Sequence, residues 1–334
     1  MTPTAPTALV CPGCGAAAVA GDRFCEACGA DLPATDTPVV APVKAEVEYA
    51  ADVAPGGPPC ASCGADWAQI QDGYCGVCGM KQPAPRDHIE VSYGGVAAVT
   101  DRGRKHHRNE DAFALRVQAG QPLIAIVCDG VSTTVDPDQA SQAAADTALA
   151  TLVAGGDLSA AHAAAQAAVL GVTNVPPPPD LGWPSCTFLA GIVHGPVVHL
   201  GTLGDCRTFW LPATGDALTL TEDDSWAAEQ IASGAQTAEE AYASPMAHTI
   251  TRWLGRDADP SWAPRLAQFR PEGAGRLVLC SDGLWNYAET APEIAAAAGE
   301  GDALVVAKRL VDFANGKGGH DNITVVVIDI KEAT

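Results

Sequence analysis

From about residue 90 onward, the apolar positions fall into short runs broken by turn residues. VAAVT (96–100), AFALRV (112–117) and LIAIVCDG (123–130) read as strands. A helix is expected to start at Asp136-Pro137, an N-cap followed by proline at the first helical position, and to run through an Ala-rich stretch toward residue 154. Residues 158–171 suggest a second helix, and NVPPPPDLGWP (174–184) must be a loop. CTFLAGIVHG (186–195) and VVHLGTLGDCRTFWL (197–211) read as strands meeting at a Gly-Pro turn, and DSWAAEQIASG (224–234) as helical. RLVLCSDGLW (276–285) begins as a buried strand, residues 302–314 form an amphipathic helix, and NITVVVIDI (322–330) is a final strand. Strands, paired helices, strands, helices, strand: this segregated order predicts an α+β fold with sheets and helices in layers.

The first eighty residues follow another logic. Eight of the twelve cysteines form C-x-x-C-G units, Cys11/Cys14, Cys25/Cys28, Cys60/Cys63 and Cys75/Cys78. CPGCG…GDRFCEACG is repeated as CASCG…DGYCGVCG, with an aromatic (Phe24, Tyr74) before the third cysteine of each set. Paired knuckles supply thiolates for tetrahedral zinc, and glycine after the second cysteine permits a left-handed turn that aims backbone N–H groups at sulfur. Two structural zinc sites are therefore expected, on Cys11, Cys14, Cys25 and Cys28 and on Cys60, Cys63, Cys75 and Cys78. Redox dithiols or disulfides are the competing use. Pairing neighbouring knuckles closes the shortest loops, though interleaved pairing satisfies the same spacing. These segments resemble tandem ribbons of the double-zinc-ribbon type, which implies closed metal sites without catalytic chemistry.

The expected organisation is ribbon 1 over residues 1–30, a Pro/Ala-rich linker over 31–59, ribbon 2 over 60–82, a short linker over 83–89 and a main domain over 90–332. With 334 residues, 47% hydrophobic and 18% charged, the chain can bury a sizeable core beside a smaller module. A net charge of −21 argues against a nucleic-acid surface or docking on an acidic membrane. There is no apolar run of membrane-span length, and the N-terminus lacks the pattern of a secretory signal, so a cytoplasmic setting is expected. The isolated Cys128, Cys186, Cys206 and Cys280 are expected to be reduced core thiols.

The candidate chemistry lies in acids at strand edges. Glu110 and Asp111 precede one apolar run. Asp129 (VCDG), Asp205 (LGDCR), Asp282 (CSDG) and Asp321 (GGHDNIT) sit at others, each with glycine adjacent or nearby. Taken singly, such an acid is a turn former, and Asp-Gly is a hairpin dipeptide. Converging where a sheet ends, the same acids would offer oxygen ligands suited to magnesium or manganese.

The ordered set TDRGRKHHRNEDAF, IAIVCDG, PSCTF, LGDCR, LTEDDS, LVLCSDGLW and GGHDNITVVV resembles the metal-dependent serine/threonine protein phosphatases (type 2C, the PPM family) across residues 90–332. The resemblance implies a four-layer α/β/β/α sandwich and hydrolysis of phosphoserine and phosphothreonine by water activated on two manganese or magnesium ions. Asp129 matches the acid that bridges the ions. Asp282 and Asp321 match the acids that complete one, and Glu110 with the Gly130 carbonyl the groups that hold the other. Asp111 matches an acid that orients the attacking water. Asp205 matches one that, with Asp282, binds a third, weaker ion. The implied partners are phosphorylated serine/threonine proteins and a cognate kinase pathway, with the chain acting as a monomer.

The sequence also departs from the family pattern. The arginine that grips the substrate phosphate, four residues before the glutamate, is here His106, with Arg104 and Arg108 near enough to deputise. DGVST leaves no histidine after Gly130 to serve as a general acid, and TEDDS puts Asp224 where histidine is usual. Residues 222–247 correspond to a variable flap whose acids (Glu222, Asp223, Asp224, Glu239, Glu240) suggest either a taste for basic or neutral phosphopeptides or a solvated surface. These departures motivate an alternative, a non-enzymatic pseudophosphatase adaptor that binds phosphoproteins or a partner through the ribbons.

Overall fold

A computed structural model describes residues 59–60, 63–71, 73–80 and 82–331, together with the backbone of two short strands near the N-terminus. The chain forms two units, Met1–Ala41 and Pro42–Thr334. In the first, β1 (Leu9–Val10) pairs antiparallel with β2 (Ala17–Ala18). Cys11, Cys14, Cys25 and Cys28 lie outside the described residues.

The second unit opens with a miniature hairpin, β3 (Ile70–Gln71) and β4 (Tyr74–Cys75). The main body follows: β5 (His88–Ser92), β6 (Val96–Asp101), β7 (Ala112–Arg116), β8 (Leu123–Cys128), α1 (Pro137–Val153), α2 (Leu158–Leu170), β9 (Ser185–Cys186), β10 (Phe188–His194), β11 (Val197–Leu203), β12 (Arg207–Pro212) and β13 (Leu218–Thr219). After these come α3 (Trp226–Ala232), α4 (Ala238–Tyr242), β14 (Leu254–Gly255), β15 (Arg265–Phe269), β16 (Gly275–Cys280), the single turn α5 (Asp282–Trp285), α6 (Ala291–Ala298), α7 (Ala303–Lys317) and β17 (Ile323–Ile330).

Two antiparallel sheets make the centre. One has the order β15-β11-β10-β8-β7 and the other β13-β12-β16-β17-β6-β5. Their facing sides share a core that includes Ala98, Val127, Leu189, Leu200, Leu277 and Val326. The first sheet's outer side packs on α1 and α2, where Ala140, Ala144 and Ala148 recur every four residues and let the helices approach closely. The second sheet's outer side packs on α6 and α7 through Ile294, Val306, Leu310 and Ala314. Strands covered on both faces lose the alternation of a half-exposed strand, which explains the consecutive apolar residues Val325 to Ile328 of β17. The layers are helix, sheet, sheet, helix.

Several local expectations are revised. Residues 197–211 break at Gly204-Asp205-Cys206, so that β11 joins one sheet and β12 the other. Helix α1 does begin at Pro137, but Asp136 sits at φ 47° and its side chain makes no capping bond. Residues 83–89, expected as a linker, fold as a short 3-10 turn (Pro85–Asp87) that runs straight into β5. Cys128, Cys186, Cys206 and Cys280 are free and buried.

Candidate active site and cysteine cluster

Strand register carries the acids to one end of the sandwich. Ala112, the first residue of β7, pairs with Cys128, the last of β8, so Asp111 and Asp129 leave the sheet side by side. In the second sheet Cys280, the last residue of β16, lies between Arg207 and Val325. Asp205, Asp282 and Asp321 therefore emerge from the ends of neighbouring strands. The crossing from β11 to β12 places Asp205 where the two sheets meet.

The resulting cluster is electrostatically costly without a cation. Burial pushes Asp129 and Asp282 well above the usual carboxylate range. Repulsion from Asp111, Asp282, Asp321 and Asp205 adds to it at Asp129, and repulsion from Asp205, Asp321 and Asp111 at Asp282. Burial, reinforced by Asp223, lifts Asp205 to about 7, and burial lifts Asp111 to about 6. Asp111 Oδ2 accepts from the Ser281 hydroxyl (2.7 Å), yet its Oδ1 and the Oδ1 of Asp282 are buried without a hydrogen-bond partner. Unpaired buried oxygens among mutually repelling carboxylates are what a hard divalent cation would satisfy, so the donor set fits the implied metals.

Neutral side chains hold this array. Asn322 Oδ1 accepts from the Glu110 N–H (2.7 Å), while its amide donates to the carbonyls of Arg102 and Arg108. Thr187 Oγ1 accepts from the Asp129 N–H (2.9 Å). Asn109 donates to Thr100 Oγ1, which meets Thr324 Oγ1 at 2.7 Å. At Gly130 a β-carbon would stand 2.6 Å from the carbonyl oxygens of both Glu110 and Pro137, so only glycine passes. Asp282 does not close a hairpin; it opens α5.

The residues expected around the phosphate are already engaged. His106 Nε2 is 3.1 Å from Asp321 Oδ1, and its Nδ1 is 3.8 Å from Glu110 Oε2. Arg108 donates to Glu110 Oε1 (3.0 Å) and faces Asp138 (3.5 Å), and the Ser132 hydroxyl donates to Glu110 Oε2. The Arg104 N–H donates to the Gly319 carbonyl. A cavity of about 550 Å³ lies outside Glu110 and Ser132, walled by Lys105, His106, His107 and Arg108.

The flap acids divide. Asp223 forms a buried fork with Arg207 (2.6 and 3.0 Å), whose guanidinium stacks 3.6 Å from the Trp285 ring. Asp224 is buried between Arg252 (3.1 Å) and Arg265 (2.8 Å) and accepts from the Gly204 N–H. Neither is a solvated charge or a substrate reader, so that expectation is corrected for both. Glu222 is exposed, 3.5 Å from Arg265.

Arg86 was not singled out in the sequence. Its Nε donates to the Asn109 carbonyl (3.0 Å), Nη2 to the carbonyls of Asp111 (2.9 Å) and Asp138 (3.0 Å), and Nη1 to Gln142 Oε1 (2.8 Å). It thus grips the loop on both sides of Glu110. A lone arginine after two prolines carries no periodic signal, which is why pattern reading passes over it.

The cysteine module shows its own convergence. Sγ atoms of Cys60, Cys63, Cys75 and Cys78 lie within 4.8 Å of one another, with Cys60–Cys78 and Cys63–Cys75 both at 3.7 Å. Neighbouring knuckles therefore pair in this set. Gly64 and Gly79 both adopt φ +72°, the left-handed turn expected after each second cysteine. The Ala65 backbone draws the Cys63 thiol down, but Cys78, burial, Cys60 and Cys75 push it up to about 12. Crowded sulfurs of this kind fit a soft tetrahedral cation. The double zinc ribbon family model matches residues 11–79.

Comparison with solved structures covers the main body. The PPM Ser-Thr phosphatase MsPP from Mycobacterium smegmatis, solved with cacodylate, is 30% identical, with a TM-score of 0.59 over 72% of this chain and 100% of that one. The chain belongs to the PPM phosphatase family. The catalytic domain of the PPM relative PstP, solved with two manganese ions, matches at 28% identity and a TM-score of 0.57 over 71% of this chain and 98% of that one. In sequence, the serine/threonine protein phosphatase PstP of Mycobacterium tuberculosis is 33% identical over 250 residues, 70% of this chain. The match spans only 44% of that relative's length. Among the described residues, no helix of this PPM chain is long and apolar enough to cross a membrane.

Proposed function

We propose that the body of this chain is a metal-dependent phosphoserine/phosphothreonine protein phosphatase, with zinc-bound ribbons ahead of it. The observation that carries the reading is the convergence of Asp129, Asp282, Asp321 and Glu110 with Asp111 and Asp205, two of them keeping buried carboxylate oxygens unpaired. Asp129 would bridge two manganese or magnesium ions, Asp282 and Asp321 would complete one, and Glu110 with the Gly130 carbonyl the other. Asp205 with Asp282 would take a third. Bound there, divalent cations neutralise the phosphomonoester and lower the pKa of a water for in-line attack.

The chain's own groups supply positioning. Asp111, held through Oδ2 by Ser281, would orient the attacking water, whose proton passes to solvent as its oxygen bonds phosphorus. The bond from phosphorus to the serine or threonine oxygen breaks, and solvent protonates the released hydroxyl, since no histidine follows Gly130. A cysteine nucleophile is not needed. Burial pushes the thiols of Cys128 and Cys206 well above their ordinary range, so they stay protonated and inert. The reading extends to phosphorylated proteins from a cognate kinase pathway as substrates, a monomeric chain and a cytoplasmic setting.

Manganese-dependent hydrolysis of p-nitrophenyl phosphate and of a phosphothreonine peptide tests this. Both activities should fall by more than about 100-fold in Asp129→Ala. The inward turn of His106 favours the pseudophosphatase alternative, for which the wild-type chain would bind manganese without turnover of either compound.

A further inference from the structure

We infer that the second cysteine ribbon forms one wall of the active-site cleft, and that Tyr74 is a specificity-determining residue reading the peptide beside the phosphorylated side chain. This rests on the phosphatase reading above. Tyr74 precedes Cys75 on β4; it is 47% exposed and lines the same cavity as Lys105, His106, Arg108, Glu110 and Ser132. That cavity leads to Glu110, at the edge of the acid cluster. A small phosphomonoester fills only the deep end, near the acids. A peptide carrying the same phosphate must also lay its neighbouring residues along the outer wall, where the phenol ring offers an apolar face with a polar tip.

The ribbon is held close to the site along the chain. The Gln82 N–H donates to the Gly73 carbonyl at the turn of the hairpin, and its side chain reaches Cys60 Sγ (3.3 Å) and the Met80 carbonyl. Only Pro83, Ala84 and Pro85 then separate Gln82 from Arg86. Both prolines have fixed φ, and the Ala84 N–H donates to Asp87 Oδ2 (3.0 Å), so the connection has little slack. Arg86 in turn grips the carbonyls of Asn109 and Asp111. Cys75 is a member of the four-sulfur cluster, so a metal held there fixes the backbone that carries Tyr74.

The test uses the full-length, manganese-loaded chain with p-nitrophenyl phosphate and a ten-residue phosphothreonine peptide. In Tyr74→Ala the peptide KM should rise about three- to tenfold, with peptide kcat and both constants for p-nitrophenyl phosphate within about twofold of wild type. Tyr74→Phe should restore most of the peptide KM. Cys63→Ser, which removes a ligand of the sulfur cluster, should reproduce the Tyr74→Ala split. An unchanged peptide KM in Tyr74→Ala, or equal losses on both compounds, overturns the inference while leaving the phosphatase reading intact. No turnover of either compound by the wild-type chain overturns that reading, and the inference with it.

Discussion

His106 Nε2 lies 3.1 Å from Asp321 Oδ1, so the side chain at the position where the family resemblance implies a phosphate-gripping arginine is turned toward an acid of the cluster. Imidazole is shorter than a guanidinium and offers no paired donors in one plane. It can settle among carboxylates where an arginine would reach past them.

His106→Arg is expected to lower the KM for p-nitrophenyl phosphate about tenfold, because a bidentate charged contact outweighs a single imidazole donor. Steady-state kinetics at saturating manganese measure this. An unchanged KM would show that Arg108 or Lys105 already supplies the grip.

Asp282→Asn should have two opposite effects. Manganese-dependent turnover falls by more than about 100-fold, whereas the metal-free protein melts about 2–4 °C higher because one repelling charge has left the cluster. Calorimetry with and without a chelator shows the second effect. A lower metal-free melting temperature would mean that repulsion among the acids is not what the cation relieves.

Asp223→Asn should destabilise the fold by about 3–5 kcal/mol, since it leaves Arg207 buried beside Trp285 without its counter-charge. Glu222→Gln, at an exposed neighbour, should change stability by less than about 0.5 kcal/mol. Denaturant melts of the two variants would separate a structural pair from a surface one.

His162 should give the fold a pH dependence away from the acid cluster. Its ring packs edge-on against Phe188, its Nε2 is buried without a partner, and burial helped by the Arg252 charge holds its pKa below the usual value of 6.5. Below that value the unfolded chain takes up a proton that the folded ring resists, so stability falls as pH drops. His162→Leu should flatten the decline in melting temperature between pH 7 and pH 5. A decline as steep as wild type would assign it to other groups.

Much of this was legible in the chain. The strands that carry the acids are apolar runs ending at glycine-flanked carboxylates, and the ordered motifs located Asp129, Asp205, Asp282 and Asp321 before any geometry was known. The edge strand β15 was not legible: RLAQF has apolar residues but no two-residue alternation, and Arg265 to Gln268 are exposed. Helix α6 is a short Ala-rich segment whose capping Thr290 and Glu293 went unread. Partnerships across the chain were hidden as well. Whether Asp224 meets water or two arginines depends on residues 28 and 41 positions away, which no local pattern reports.

The Arg86 fork bears on how this protein can be divided for study. Cutting at residue 90, where alternation begins, would discard a clamp holding the main chain either side of Glu110, along with the start of an edge strand. Weak activity in such a fragment would then report a loosened loop rather than a missing regulator. An excised enzyme should begin before Pro85.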